Sequence, residues 1–409
     1  MSTFRPQAHR PMDVRIASYT LTSACGKGLQ ALSDSLQSRQ SALSPNNYAD
    51  SFLDTWIGRV EGIEEHELPQ TLRHLDSRNN RLSDMALQQD GFSESVQSLA
   101  DRFGATRMGV VLGTSTSSVG KTESGYRELD EHDHMPVAFQ QSNVHNPHAP
   151  GHYVAQRLGI TGPAMTISTA CSSSSKVFSA ASRWLDCGLV DAVVVGGVDS
   201  LCLSILHGFA SLELISPDQC RPFDRRRNGI NIGEAAGFAL LVRGEEPNFF
   251  SEIPLGLTGS GESSDAFHMA QPHPDGQGAA TAMSAALRSS GLSYDQIGYV
   301  SLHGTATPAN DLAETKALAT VFSPETPVSS TKGWTGHTLG AAGITGVVVA
   351  LQSLTKGFIP GTLNLHEPDE TLAFPVLRNN LDRQYNHAMV NSFGFGGNNC
   401  SLVFSRILH

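Results

Sequence analysis

The stretch Thr166-Ile167-Ser168-Thr169-Ala170-Cys171-Ser172-Ser173-Ser174-Ser175 narrows the fold more than any other part of the chain. A short run rich in β-branched residues meets a cysteine, and a helical pattern starts directly behind it. Val177, Phe178, Ala181, Trp184 and Leu185 fall at the spacing of one helix face. Gly188 reads as the residue that ends this helix, and Asp191–Val195 (DAVVV) as the next buried strand. Cys171 therefore sits at a strand-to-helix corner among small residues. Unpaired N–H groups and the helix dipole at such a corner favour a thiolate over a thiol. Taken alone, the corner is equally open to a buried structural cysteine.

Composition excludes several classes. The 409 residues allow one large domain or two closely packed ones, and 39% apolar residues with 39 glycines fit an α/β enzyme. No apolar run approaches the ~20 residues of a membrane-spanning helix, and no signal-peptide pattern opens the chain, so cytoplasmic residence is expected. Six cysteines (Cys25, Cys171, Cys187, Cys202, Cys220, Cys400) are scattered with no CxxC and no zinc spacing, which points to reduced thiols and to no metal site. The formal charge of −11 argues against a nucleic-acid surface.

In chain order, residues 1–12 read as a flexible tail. A strand near Val14 leads through Gly26–Gly28 into a helix, and residues 44–72 are irregular. Leu82 to Leu99 reads as one helix, Met108–Leu112 as a strand ending in Gly113-Thr114-Ser115-Thr116-Ser117-Ser118, and 120–150 as a functional loop or insertion. A helix near 151–158, the cysteine corner, and a turn and strand over Gly229–Leu241 complete a first half, 13–254. The second half, 255–409, has a helix at Ala279–Ser290, a strand Ile297–Leu302 ending at His303, a helix Asp311–Val321, a strand Pro327–Thr331 and a helix Ala341–Thr355. That last unit repeats the plan of the first: strand, small-residue corner, helix. Alternation of strands and helices predicts mainly parallel sheets covered by helices.

Besides Cys171, three constellations carry candidate chemistry. They are His303-Gly304-Thr305-Ala306-Thr307-Pro308-Ala309-Asn310-Asp311, Lys332-Gly333-Trp334-Thr335-Gly336-His337 before LGAAG, and Asn391-Ser392-Phe393-Gly394-Phe395-Gly396-Gly397-Asn398-Asn399. Singly each has a structural reading: a hydrogen-bonded strand-end histidine, a buried ion pair, a tight glycine turn. No phosphate-loop signature is present. A cysteine hydrolase also needs one cysteine and a distant histidine, but its local signature is absent.

Jointly they are specific. STACSSSS around Cys171, RPFDRRRNGINIGEAAG at 221–237, SSDAFHMAQPHPDGQGA at 263–279, HGTATPAND from His303, SSTKGWTGHTLGAAG from Ser329 and NSFGFGGNN from Asn391 stand in register. With them the chain resembles the condensing enzymes of the thiolase superfamily, specifically the β-ketoacyl-acyl-carrier-protein synthases with a Cys-His-His site. Ser77-Arg78-Asn79-Asn80, the Gly113–Ser118 stretch, Gly208-Phe209-Ala210-Ser211-Leu212-Glu213 and Asn398-Asn399 are similar to ketosynthases of aryl polyene pathways. Three departures from the commoner pattern stand out. Gly346 occupies the place of a usual glutamate, and Trp334 and Thr338 are expected to reshape the pocket floor.

The resemblance implies an α/β, five-layered αβαβα fold of two similar halves, a dimer, and no metal or dissociable cofactor. It implies that Cys171 takes up an acyl group and that His303 and His337 stabilise the enolate left by decarboxylation of a malonyl thioester. The N–H groups of Cys171 and Phe395 would hold the oxyanion, and Phe395 would also act as a gate. Lys332 would orient the site through Asp311 or Glu314. Thr305 and Thr307 would bind a phosphopantetheine arm, and Arg73, Arg78, Arg81 and Arg221 would dock an acyl carrier protein. A general fatty-acid elongation ketosynthase, a degradative thiolase and a non-catalytic chain-length-factor subunit are the alternatives. Cys400 lacks the thiolase context, and Cys171 with both histidines speaks against the non-catalytic subunit. Homodimer and heterodimer with a chain-length-factor-like subunit stay open, as does acyl chain length.

Overall fold

The computed structural model describes residues 13–244 and 253–407, so the expected tail, 1–12, lies outside the described residues. Eleven strands form the main sheet; the two-residue strand Gly26–Lys27 only pairs with the end of the first, and the ten along its path are β1 (Val14–Ser23), β2 (Met108–Gly113), β3 (Ala164–Ile167), β4 (Ala192–Asp199), β5 (Ala235–Arg243), β6 (Leu255–Ser264), β7 (Tyr299–Ser301), β8 (Val328–Ser329), β9 (His387–Gly394) and β10 (Asn398–Arg406). The helices are α1 (Gly28–Ser38), α2 (Arg78–Leu87), α3 (Phe92–Phe103), α4 (Val119–Arg127), α5 (Ala149–Arg157), α6 (Ser173–Asp186), α7 (Leu203–Ser211), α8 (Gln277–Ser290), α9 (Pro308–Val321), α10 (Lys332–Thr335) and α11 (Ala342–Lys356).

The strand order is β3-β2-β4-β5-β1 and then β6-β10-β9-β7-β8. Numbering each set of five from its own first strand, both halves read 3-2-4-5-1, and the two first strands meet antiparallel at Val14–Leu257 and Arg15–Gly256. The sheet is mixed rather than mainly parallel. β3, β2 and β4 run parallel, as do β9, β7 and β8, while the pairs through β5, β1, β6 and β10 are antiparallel. The expectation failed because antiparallel strands buried on both faces carry the same continuous apolar runs as parallel ones.

The three largest cores lie between the layers, the central one enclosing a helix layer of its own. Strand side chains alternate: Val193 and Val195 of β4 join the central core, and Ala192, Val194 and Val198 join the outer core under α2, α3 and α5. The central core holds α6 and α11 side by side, with Val177 and Phe178 of one and Ile344, Val347 and Val348 of the other. The third core lies under α8 and α9 around Met283, Leu318 and Met389. The segment Leu339–Lys356, with mean hydropathy 1.3, is long and apolar enough to cross a membrane, contrary to expectation; 78% of it is buried inside this fold.

The serine run and glycines of the α6 corner follow from crowding. A Cβ on Gly113 would lie 2.4 Å from the Ser174 nitrogen, one on Gly197 2.5 Å from Ser174 Cβ, and one on Gly343 2.4 Å from Ser175 Oγ. Only small residues let β2, β4 and α11 converge there. Elsewhere the sequence misled. The helix read over Leu82–Leu99 breaks at Asp90 and Gly91, with φ of 55° and 66°, because the Asp-Gly pair makes a left-handed turn. The Asp90 carboxylate then accepts the Leu29 N–H and the Thr20 hydroxyl. The stretch 120–150 is not all loop, since α4 occupies its start.

Candidate active site

Cys171 follows β3 by way of Ala170, whose φ of 51° makes a sharp corner. Hydroxyls hold the corner. Ser173 Oγ accepts the Thr169 N–H at 2.9 Å and donates to the Ala170 carbonyl at 2.5 Å, and Ser172 Oγ donates to the Thr169 carbonyl at 2.8 Å. The sulfur is buried, and that burial pushes the thiol up to about 11, against the charge of Lys332 and the N–H groups of Phe395 and Cys171, which pull it down. The free enzyme therefore carries a thiol; desolvation outweighs the helix-terminus effect expected from sequence.

His303 ends the segment after β7, and its backbone is clamped on both sides. Glu314 of α9 accepts the N–H groups of His303 and Gly304 at 2.8 and 2.7 Å, and Lys332 Nζ donates to the His303 carbonyl. Lys332 thus braces the His303 carbonyl directly, while Glu314 holds the same backbone from its N–H side. Asp311 instead accepts the N–H groups of Phe223 and Ala306 at 2.8 and 3.2 Å. Burial pulls Lys332 down and pushes Glu314 up to about 7, with their mutual attraction opposing both shifts.

His337 donates its backbone N–H to the Asn231 carbonyl at 2.7 Å, and its ring Nδ1 accepts the Leu339 N–H at 3.1 Å. That acceptor role leaves the ring proton on Nε2. The two imidazoles meet edge to face, centroids 5.4 Å apart. Burial holds both well below the usual histidine range, as does the positive charge of Lys332. The Cys171 sulfur and one nitrogen from each ring lie within 4.8 Å of one another. Thiol and imidazoles at this spacing are also metal donors, but the Lys332 charge acting on all three opposes a cation there.

These groups open onto a cavity of about 220 Å³ walled by Phe209, Leu214, Ile230, Phe393 and Phe395. The Phe395 ring packs at 5.5 Å on Phe209 and sits between Gly394 and Gly396, the latter at φ 76°. Thr305 and Thr307 line the same cavity, their hydroxyls 2.9 Å apart. Gly346 borders a separate polar space of about 10 Å³ with Lys332, Thr338, Thr345 and Asn391, room for one water-sized molecule. Trp334 does not touch the main cavity; its fully buried indole donates to the Ser35 carbonyl of α1.

The arginines divide. Arg78 places its guanidinium on the fully buried Glu234, at 2.8 Å through Nε and 2.6 Å through Nη2, and also contacts Glu64. In this arrangement it clamps Glu234 and turns away from the surface expected to dock a carrier. Arg81 pairs with Asp76, Arg73 with Glu67 and Arg221 with Asp218, all at or near the surface. Sequence reasoning missed Asp199, buried behind the His337 turn, and the bond between Asn399 and Asp265 at 2.7 Å that ties the Phe395 turn to the 263–273 segment. Asp265 and Asn399 both stood in recognised motifs; Asp199 carried no such signal.

A corner cysteine, a histidine just after β7 and a second histidine just after α10, brought together on a duplicated sheet, mark an acyl-transferring condensing enzyme. The family models "Beta-ketoacyl synthase, N-terminal domain" and "Beta-ketoacyl synthase, C-terminal domain" match residues 78–246 and 256–366, and the chain belongs to that family. It is 32% identical to 3-oxoacyl-[acyl-carrier-protein] synthase 2 of Vibrio cholerae over 96% of this chain and 99% of the relative. It is 36% identical to the synthase 2 of Vibrio harveyi over 88% and 89%. Among solved structures, the ketosynthase ApeO in complex with its chain length factor ApeC from Xenorhabdus doucetiae superposes with TM-score 0.84 at 35% identity, covering 97% of this chain and 98% of that one.

Proposed function

We propose that the enzyme catalyses decarboxylative Claisen condensation between a malonyl-acyl-carrier-protein and an acyl group held on Cys171. The observation that carries this is the meeting of one thiol and two neutral imidazoles at the end of an apolar cavity. In the first step the Cys171 sulfur attacks the acyl thioester, a neighbouring imidazole takes the thiol proton, and the carrier leaves as a thiol with that proton. The N–H groups of Cys171 and Phe395 face the oxyanion that forms.

In the second step malonyl thioester loses carbon dioxide, and the electron pair stays as an enolate. Nε2–H of His337 and the ring of His303 stabilise its oxygen. The enolate carbon attacks the acyl carbonyl, and Cys171 leaves as a thiolate that takes up one proton from solvent. The product is a 3-oxoacyl carrier thioester. Neither step calls for a metal or organic cofactor. Thr305 and Thr307, which line the cavity, would hydrogen-bond the pantetheine arm, and Arg73, Arg81 and Arg221 are the remaining candidates for carrier docking.

The more specific reading is a ketosynthase of aryl polyene assembly, dimerised with a chain-length-factor-like subunit. The likeness to ApeO, whose partner is a chain length factor, supports it, and β3 supplies a half-exposed edge strand for such a partner. The synthase 2 relatives favour a second reading, general fatty-acid elongation without such a partner. Intact-mass assay of Cys171 acylation and malonyl-carrier turnover, with the chain alone and with a chain-length-factor partner, tests both. Full turnover alone on saturated acyl carriers favours elongation; turnover only with the partner favours the aryl polyene reading.

A further inference from the structure

We propose that Asp199 is a positioning residue for His337, holding from the first half of the molecule the turn that orients a histidine of the second. Asp199 is the last residue of β4 and is wholly buried. Its Oδ1 accepts from Thr114 Oγ1 at 2.5 Å, from the Thr116 N–H at 3.0 Å and from Thr116 Oγ1 at 2.7 Å. Its Oδ2 accepts from the Ser115 N–H at 2.9 Å, Ser115 Oγ at 2.5 Å and the Gly340 N–H at 2.5 Å. A buried carboxylate is costly unless its lone pairs are filled, and here neutral N–H and O–H donors fill them.

Of the Asp199 bonds among the described residues, the Gly340 bond alone crosses to the second half, and it lands three residues beyond His337. Between them Leu339 adopts φ 55°, a conformation costly for a non-glycine residue, and it is this residue whose N–H fixes His337 Nδ1. Gly340 fits because it has no side chain: a Cβ there would lie 2.5 Å from Asp199 Oδ2 and 2.6 Å from the Ser115 nitrogen. The carboxylate therefore pins the strained turn at Gly340, the turn presents the Leu339 N–H to Nδ1, and Nδ1 as acceptor leaves the ring proton on Nε2. The three hydroxyl residues after β2 act as the other jaw of the clamp.

The inference rests on the condensing role of His337, and its test is arranged so that each can fail separately. Asp199→Asn keeps size but sets an amide against N–H donors; Gly340→Ala strikes the same contact from the other side. Both variants are compared with wild type for Cys171 acylation, for malonyl-carrier decarboxylation and for the His337 tautomer by long-range 15N imidazole spectra. The expected result is 10- to 100-fold slower decarboxylation, of the order a misplacement of about 1 Å costs, acylation within about threefold, and loss of the fixed Nε2–H form. Equal losses in both steps, or an unchanged tautomer in folded variants, overturns the positioning role. A wild-type enzyme with a fixed tautomer and no decarboxylation refutes the condensing role instead. Should Asp199→Asn fail to fold, Ser115→Ala, which removes one jaw and keeps the carboxylate, carries the same test with a smaller expected change.

Discussion

The two halves share one strand order, yet each puts different chemistry at the equivalent place. After its third strand, the first half turns in five residues from Ile167 to the start of α6, and the corner residue Ala170 at φ 51° delivers a thiol. After its third strand, the second half takes much longer, through α10, His337 and the Leu339 turn, before α11 begins. The second strands diverge likewise. β2 ends in hydroxyl residues that bind Asp199, and β7 leads to His303, braced by Glu314 and Lys332. On the proposed function, a duplicated scaffold supplies a nucleophile from one copy and electrophilic donors from the other. The lengths of the connections, not the strands, decide which.

The comparison is broken most severely at Cys171. Cys171→Ala should abolish the acyl adduct seen by intact mass, with condensation falling on the order of 10⁶-fold, the scale on which loss of a serine nucleophile is felt elsewhere. An adduct persisting on another residue would mean that the first half does not supply the nucleophile.

Next come the histidines. His303→Ala or His337→Ala should slow decarboxylation by ~10²- to 10³-fold, the usual worth of an oxyanion donor, while acylation of Cys171 suffers less. If either variant loses acylation and decarboxylates normally, the division of labour between the halves is wrongly drawn.

Much of this division was legible in the sequence, because acyl transfer needs particular residue types in crowded places. The small residues around Cys171 betray the convergence of β2, β4 and α11, and the strand-ending His303 betrays a site at the sheet's edge. What was not legible depends on backbone partners. Glu314 binds two N–H groups rather than Lys332, Arg78 turns inward onto Glu234, and Trp334 points to α1, away from the cavity. Residue identity announces a charge or a ring but not which backbone group lies opposite. The mixed sheet was hidden for a related reason: β5 and β9 are buried on both faces, so the apolar pattern carries no direction.

The histidines also leave a mark on stability. Both rings stay neutral in the folded enzyme well below the ordinary 6.5 at which they protonate when unfolded. As pH falls below about 6.5 the unfolded chain takes up protons that the folded one refuses, so each histidine lowers stability by about 1.4 kcal/mol per pH unit. Glu314, pushed up to about 7, tilts the curve the other way between 4.5 and 7. The histidine share is therefore read as wild type minus His303→Gln in denaturant midpoints from pH 7 down to 5. Parallel curves for the two proteins would show that His303 titrates normally and lies in a wetter site than the fold describes.

The smallest effect concerns the first half's surface. Arg73, Arg81 and Arg221 each face an acidic partner, so a carrier must compete with Glu67, Asp76 and Asp218 for them. The more exposed pairs at Arg73 and Arg81 are worth ~1 kcal/mol or less, and an acidic carrier approaching with several carboxylates can displace them; Arg221, its side chain only 17% exposed, is less easily freed. Charge reversal at Arg73 and Arg81 should raise KM for carrier-bound substrate a few-fold, on the scale of ~1 kcal/mol, more strongly at low salt, and leave turnover of a free pantetheine thioester unchanged. Arg78→Ala is the contrast. It strips a buried carboxylate of its partner and should lower Tm and both activities together. If instead Arg78→Ala raises only the carrier KM, its inward clamp opens in solution and it belongs to the docking face after all.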